Sequence, residues 1–180
     1  MFEQAEERPK FQWHHTMLRI KDPKVTIPFY ETHFGFTFLH KMDFNDLKFS
    51  VYFIAILTPG EKEKWASLTP GSPEAHDALW NYKRVTIELC HNHGTETDDN
   101  FKVNDGNVEP HRGFGHIAVF TKDVYAVSAD LEAKGCKFQK RPDEGNMKGL
   151  AFVKDPDGYW IELIKRADDA TITNMPFTLA

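Results

Sequence analysis

Two histidines and two glutamates recur at matching places in this chain. His15 opens the run His15-Thr-Met-Leu-Arg-Ile and His116 opens His116-Ile-Ala-Val-Phe-Thr; Lys21-Asp22 and Lys122-Asp123 follow at the same offsets. Further on, the tripeptide Ile-Glu-Leu occurs twice, as Ile87-Glu88-Leu89 and as Ile161-Glu162-Leu163. Imidazole and carboxylate are ordinary ligands of borderline divalent cations, and a carboxylate is also a competent general base. Side chains alternate along a strand, so Trp160, Glu162 and Ile164 share one face while Ile161 and Leu163 share the other. Arg84, Thr86, Glu88 and Cys90 oppose Val85, Ile87 and Leu89 in the same way. A carboxylate flanked by Trp160 and Ile164 does not face open water, and burying it unpaired costs several kcal/mol. A cation must be near, and arginine, lysine or a metal could supply it.

Repetition favours the metal. A lone strand histidine is usually a satisfied core residue, and a lone glutamate is usually solvated or ion-paired. Four such residues at equivalent positions of a repeat are harder to explain that way. If two modules pack with curved sheets facing inward, His15, Glu88, His116 and Glu162 converge on one cavity. They would leave room on an octahedral ion for water or substrate, and suit zinc, nickel, cobalt or manganese. The other histidines (14, 33, 40, 76, 91, 93 and 111) lack this equivalence and read as surface or structural.

The elements that must position these residues can be read on either side of them. Helical segments follow each histidine strand, from Pro23 to His33 and from Asp123 to Lys134. Gly35 and Gly135 then stand where a left-handed C-terminal cap is needed. Short strands come next, including Lys48–Ala55 and Gly149–Val153. Glu88 follows His15 by 73 residues, whereas Glu162 follows His116 by 46. An insertion from Thr58 to Tyr82, with Pro59-Gly60, Pro70-Gly71 and Pro73, accounts for the difference and reads as a loop. Each repeat is therefore β-α-β-β-β, and the fold class is α+β, with two tandem modules whose curved mixed sheets form a metal-binding cavity. The expected divisions are an N-terminal arm 1–14, a first module 15–95 with the inserted loop 58–82, a linker 96–111, a second module 112–166 and a C-terminal tail 167–180.

Composition narrows the function classes. The chain has 180 residues, 41% of them hydrophobic and 13% aromatic, enough for a sizeable packed core. A net charge of −5 argues against nucleic acid or an anionic membrane surface as partner. No apolar run approaches the ~18 residues that span a bilayer. The first residues, MFEQAEERPKFQW, lack the apolar core of a secretory signal. Cys90 and Cys136 give no disulfide framework and read as buried, reduced thiols, which fits a cytoplasmic protein.

Five segments, HTMLRIKDP, KFSVYFIA, IELCHNHGTE, RGFGHIAV and MKGLAFVKDPDGYWIEL, resemble the glyoxalase I (lactoylglutathione lyase) family of the vicinal-oxygen-chelate superfamily. The resemblance runs from His15 to Lys165. Its last two segments are the most specific, Asp-Pro-Asp-Gly alone being a superfamily signature. It implies the vicinal-oxygen-chelate fold and one divalent ion held by His15, Glu88, His116 and Glu162, with two ligands from each subunit of a homodimer. It also implies a substrate, the hemithioacetal of methylglyoxal and glutathione, and a product, S-D-lactoylglutathione. By the same resemblance Arg19, Asn92 and Arg112 hold the γ-glutamyl end of glutathione. Arg141, with backbone near Asn146 and Met147, holds the glycyl carboxylate. Leu47, Phe49, Val51 and Phe53 line an apolar pocket. The chain departs from the family pattern in places. The first ligand is histidine, as in many bacterial members, where animal members have glutamine. The long insertion resembles the animal type, which uses zinc, while the short bacterial type often prefers nickel or cobalt; zinc is favoured. Asn146 replaces a lysine common near the glycyl carboxylate.

The implied chemistry suits these residue types. Isomerising the hemithioacetal moves a proton from C1 to C2 through an enediolate, which calls for a base, a stabiliser of the oxyanion and exclusion of water. Glu162 is the first choice of base, and Glu88, related by pseudosymmetry, could serve the opposite face of the substrate. Two other readings keep the fold. An extradiol dioxygenase would use two histidines and one glutamate on iron(II), leaving Glu88 in a position that oxygen or substrate needs. A non-catalytic dimer that sequesters a ligand would lack the metal-ligand set altogether.

Overall fold

In the computed structural model residues 10–166 are described; most of the N-terminal arm and the whole C-terminal tail lie outside the described residues. The first repeat folds as β1 (His15–Ile20), α1 (Pro23–Phe34), β2 (Phe36–Phe44), β3 (Phe49–Ile56) and β4 (Thr86–Asn92), with α2 (Pro59–Ala66) and α3 (Pro73–Trp80) between its last two strands. The second folds as β5 (His116–Thr121), α4 (Val124–Ala133), β6 (Lys137–Lys140), β7 (Ala151–Lys154) and β8 (Trp160–Lys165). The order β-α-β-β-β thus holds in both. The sheets have matching strand orders, β1-β4-β3-β2 and β5-β8-β7-β6. In each, the first strand of the repeat lies beside the last, which brings a histidine strand next to a glutamate strand. No described helix is long and apolar enough to cross a membrane.

Local chemistry accounts for the helix ends. Gly35 and Gly135 take φ of +68° and +82° after α1 and α4, a conformation that a Cβ disfavours. The Asp123 side chain caps α4 by accepting from the Ala126 N–H at 3.0 Å. The insertion is not the loop its prolines suggest. Pro59 and Pro73 are the first residues of α2 and α3, where the missing N–H costs nothing and φ is already helical. Thr58 and Glu61 form a reciprocal capping box at α2, and Ser72 caps α3 through the Ala75 N–H.

The described residues form two compact units, one holding residues 10–19 together with Gly35–His93, the other holding Ile20–Phe34 and residues 94–166. In the first unit Leu39, Val51, Phe53, Ala55 and Cys90 pack with Trp65, Ala75 and Leu79 of the inserted helices. Fully burying each large apolar side chain contributes about 1.5–3 kcal/mol. The second unit has its own core of Val124, Leu131, Ala151, Val153 and Leu163, joined by Phe29 and Phe34 of α1. Helix α1 belongs by sequence to the first repeat and by packing to the second.

That allegiance is fixed by the turn before β8. Asp155 is buried; its Oδ1 accepts from the Asp157 and Tyr159 N–H groups, each at 2.9 Å, and its Oδ2 accepts from the Tyr30 hydroxyl at 2.9 Å. Asp157 accepts from the Lys21 N–H and the Thr26 hydroxyl, each at 2.6 Å. Burial, reinforced by the neighbouring Asp157 charge, pushes the Asp155 carboxyl up to about 7. Both cysteines are free; Cys90 is buried, Cys136 is half-buried, and burial raises the pKa of each thiol.

Candidate metal centre

Strand register decides which side chains meet. In the second unit β5 and β8 run parallel, with His116 opposite Trp160 and Ala118 opposite Glu162. His116 Nε2 then lies 3.2 Å from Glu162 Oε2. In the first unit His15 Nε2 lies 3.2 Å from Glu88 Oε2, the same atoms at the same separation. The glutamate side chains are 18% and 15% exposed, sheltered yet open on one side. Behind them Leu89, Ile161 and Leu163 are buried, so the alternation expected from sequence holds. Cys90 is buried too, packed in the cluster that the inserted helices form over part of the sheet face carrying Glu88, and Thr86 is buried where its N–H and hydroxyl donate to the His14 carbonyl at 3.0 and 3.2 Å.

The donor separation suits a cation. Nitrogen and oxygen each bound at about 2.1 Å to one ion lie about 3.0 Å apart at an octahedral angle and about 3.4 Å apart at a tetrahedral one. The observed 3.2 Å falls between these limits in both units. An imidazole and a carboxylate facing one another fit a borderline divalent ion in ligand type as well. Among the described residues no group of three or more histidine, cysteine, aspartate or glutamate side chains is placed to hold a metal; the structure shows two separate His–Glu pairs.

Each pair rests on a phenylalanine. Phe53 lies opposite Glu88 in the antiparallel β3–β4 register, and its ring meets His15 edge to face with centroids 5.7 Å apart. Phe152 lies opposite Glu162, and its ring meets His116 at 5.2 Å. Phe53 is among the residues expected at the site from sequence; Phe152 is not. The repeat could have supplied it, since both phenylalanines sit on the strand before the Ile-Glu-Leu strand and face its glutamate.

Around the His15–Glu88 pair, Arg19 donates to Asn92 Oδ1 at 2.8 Å and reaches Cys90 Sγ at 3.8 Å. Arg19 and Asn92, paired by resemblance, are therefore brought together by β1 and β4. Phe49, opposite Asn92, stacks on Phe44 with centroids 4.7 Å apart. Val51 and Phe53 are buried farther along the strand, but Leu47 lies in a short 3-10 turn and Lys48, at φ +55°, separates it from β3.

The remaining candidates lie in the second unit. Arg112 is exposed in the segment before β5 and pairs with Glu109 at 2.7 Å. Arg141 is held by Glu132, at 2.9 Å from Nε and 2.5 Å from Nη2, and its backbone N–H donates to Glu144 at 2.7 Å. Asn146 and Met147 are exposed in the loop that follows. Arg141 thus meets carboxylates of its own chain, contacts that no spacing rule had suggested.

Comparisons with known proteins place the chain in a family. Residues 12–163 match the profile of the Glyoxalase/Bleomycin resistance protein/Dioxygenase superfamily. The chain is 43% identical over 162 residues to glyoxalase I of Saccharomyces cerevisiae, covering 90% of this chain and 47% of that protein. It is 43% identical over 156 residues to lactoylglutathione lyase of Pseudomonas putida, covering 87% of this chain and 86% of that one. The crystal structure of glyoxalase I from Zea mays superimposes with a TM-score of 0.61 at 29% identity, over 87% of this chain and 45% of that one. The chain spans about half the length of the yeast and maize proteins and most of the bacterial one.

Proposed function

The chain belongs to the Glyoxalase/Bleomycin resistance protein/Dioxygenase superfamily, and on that premise we propose that it is a lactoylglutathione lyase. It would isomerise the hemithioacetal of methylglyoxal and glutathione to S-D-lactoylglutathione. The observation that carries this reading is the repeated His–Glu pair, with its 3.2 Å donor separation in both units. The likeness to named lactoylglutathione lyases supports it. His15, Glu88, His116 and Glu162 would hold one divalent ion, which we assign as zinc, with nickel and cobalt as the competing assignments. The two half-sites that form one centre come from two copies of the chain in a homodimer, as the family resemblance implies.

The residues of this chain then take distinct parts. When bound, the ion supplies Lewis-acid stabilisation of negative charge on the substrate oxygens. Glu162 Oε takes the proton from C1 of the hemithioacetal and returns it to C2, general-base and then general-acid chemistry by one carboxylate. Phe152 and Trp160, with rings 5.6 Å apart, make an apolar wall beside that carboxylate and limit water near it. Arg19, held by Asn92, offers a guanidinium fork to the γ-glutamyl carboxylate. Phe49 lines the approach.

Metal removal and restoration tests the reading. The protein is stripped by chelation, zinc, nickel, cobalt and manganese are added back separately, and thioester formation from methylglyoxal and glutathione is followed by absorbance. Turnover should vanish on stripping and return with at least one ion, zinc foremost. Failure of all four ions would refute the assignment.

A further inference from the structure

We infer that His14 is a positioning residue that fixes the tautomer of His15, and that the inserted helix α3 holds His14 in place. The inference rests on the metal-centre reading above. From sequence His14 had no counterpart in the repeat and read as surface or structural. The structure places its ring half-buried against the first half-site.

Two contacts define its part. His14 Nδ1 faces His15 Nδ1 at 2.8 Å, a hydrogen-bond distance at which one nitrogen must donate and the other accept. His14 Nε2 faces the Leu79 carbonyl oxygen at 3.4 Å, and a carbonyl only accepts. His15 points its other nitrogen, Nε2, at Glu88. To bind a cation beside Glu88, that nitrogen must present its lone pair, so the proton of a neutral His15 ring must sit on Nδ1. His14 Nδ1 accepts that proton's hydrogen bond when the proton of His14 is on Nε2, directed at Leu79. The Leu79 carbonyl, His14, His15 and the cation then form one chain of donors and acceptors with a single consistent sense.

Packing holds the chain in register. The His14 ring meets Trp80 edge to face at 5.5 Å and Phe53 at 6.2 Å, and Trp80 stacks on His76 at 4.6 Å. Leu79 is fully buried, so its carbonyl is carried by a fixed helix end. Leu79 and Trp80 are the last residues of α3, part of the insertion that the second repeat lacks. There the residue before the ligand histidine is Gly115, which has no side chain to offer His116. The half-sites match in their donors and differ in what orients the histidine. The insertion therefore buttresses one ligand of the first half-site.

Zinc affinity of the stripped, full-length protein, measured by competition with a chromophoric chelator, tests this without reference to turnover. Orienting partners of metal-bound histidines are typically worth about 10–100-fold in metal affinity. His14→Leu, which keeps the bulk and removes the acceptor, should weaken zinc binding by that factor with the unfolding temperature of the apoprotein little changed. His14→Gln, which restores an acceptor oxygen at similar reach, should recover most of it. Equal affinities for wild type and His14→Leu, or a His14→Gln protein as weak as His14→Leu, would overturn the inference. Wild-type protein that binds no zinc, nickel, cobalt or manganese would overturn the metal-centre reading itself, a separate outcome. Should His14→Leu fail to fold, long-range nitrogen–proton NMR correlations on zinc-loaded wild type decide the matter. Protons on His15 Nδ1 and His14 Nε2 support the chain, and a proton on His14 Nδ1 refutes it.

Discussion

Asp155 should make the fold less stable as pH rises, and Asp155→Asn should remove that dependence. The carboxyl sits at the start of the turn that launches β8, the strand bearing Glu162. Burial is the largest influence on it and the Asp157 charge the next; together they outweigh the hydrogen bonds from Tyr30, Asp157 and Tyr159, which favour the ionised form. The folded pKa is about 7 against an ordinary 3.8. Between those values the folded chain keeps a proton that the unfolded chain has lost, so unfolding becomes easier as pH rises through that window and levels off above about 7. Each pH unit in the window is worth about 1.4 kcal/mol, so from about pH 5.5 to about pH 8 the loss is about 2 kcal/mol. Asparagine keeps an acceptor for the two backbone N–H groups and carries no charge. Urea unfolding of both proteins at fixed concentration, followed by circular dichroism at the two pH values, measures the difference directly. Wild type should lose about 2 kcal/mol relative to Asp155→Asn on going to the higher pH, a figure that includes relief of the Asp157 repulsion. Parallel profiles, or a wild type that gains on the variant as pH rises, would refute the claim that burial dominates this carboxyl.

Two further outcomes test the proposed site. Glu162→Gln should lower kcat by about 10²–10⁴-fold while its size-exclusion profile stays that of the wild type; near-normal turnover would move the base to Glu88. Arg19→Met should remove a charged contact of about 1.5–3 kcal/mol, seen as a roughly 10–150-fold loss in kcat/KM carried chiefly by KM, and a loss confined to kcat would place Arg19 in the chemical step instead.

The alternation of the strands that carry the candidate site was legible because strand periodicity is a local property. Ile161 and Leu163 had to face one way and Glu162 the other, and burial follows that alternation. Helix ends were legible for the same reason, as Gly35 and Gly135 carry their own conformational signature. What escaped the sequence was partnership over distance. The apolar residues of α1 announce that it packs, but nothing in them says that Phe29 and Phe34 join the core of the second unit. Arg141 reads as a free guanidinium until Glu132, nine residues earlier, folds against it. Pro59 and Pro73 were ambiguous in kind, because proline begins helices as readily as it marks turns, and only the capping side chains of Thr58 and Ser72 decide between the two.

The equal donor separations follow from topology rather than from spacing in the chain. Glu88 is 73 residues from His15 and Glu162 only 46 from His116, yet both pairs close to 3.2 Å. Each histidine lies on the first strand of its repeat and each glutamate on the last, and those strands are neighbours in both sheets. Connection length affects chain entropy only logarithmically, so added residues between β3 and β4 are cheap in closure and need not disturb the register across β1 and β4. Those residues form helices that cover the sheet and bury Trp65, Ala75 and Leu79 beside Phe53. The same helices place a carbonyl and an indole against His14. An insertion neutral toward the donor geometry has become part of what orients one donor, which is why the two half-sites should respond differently to changes in the residue preceding their histidine.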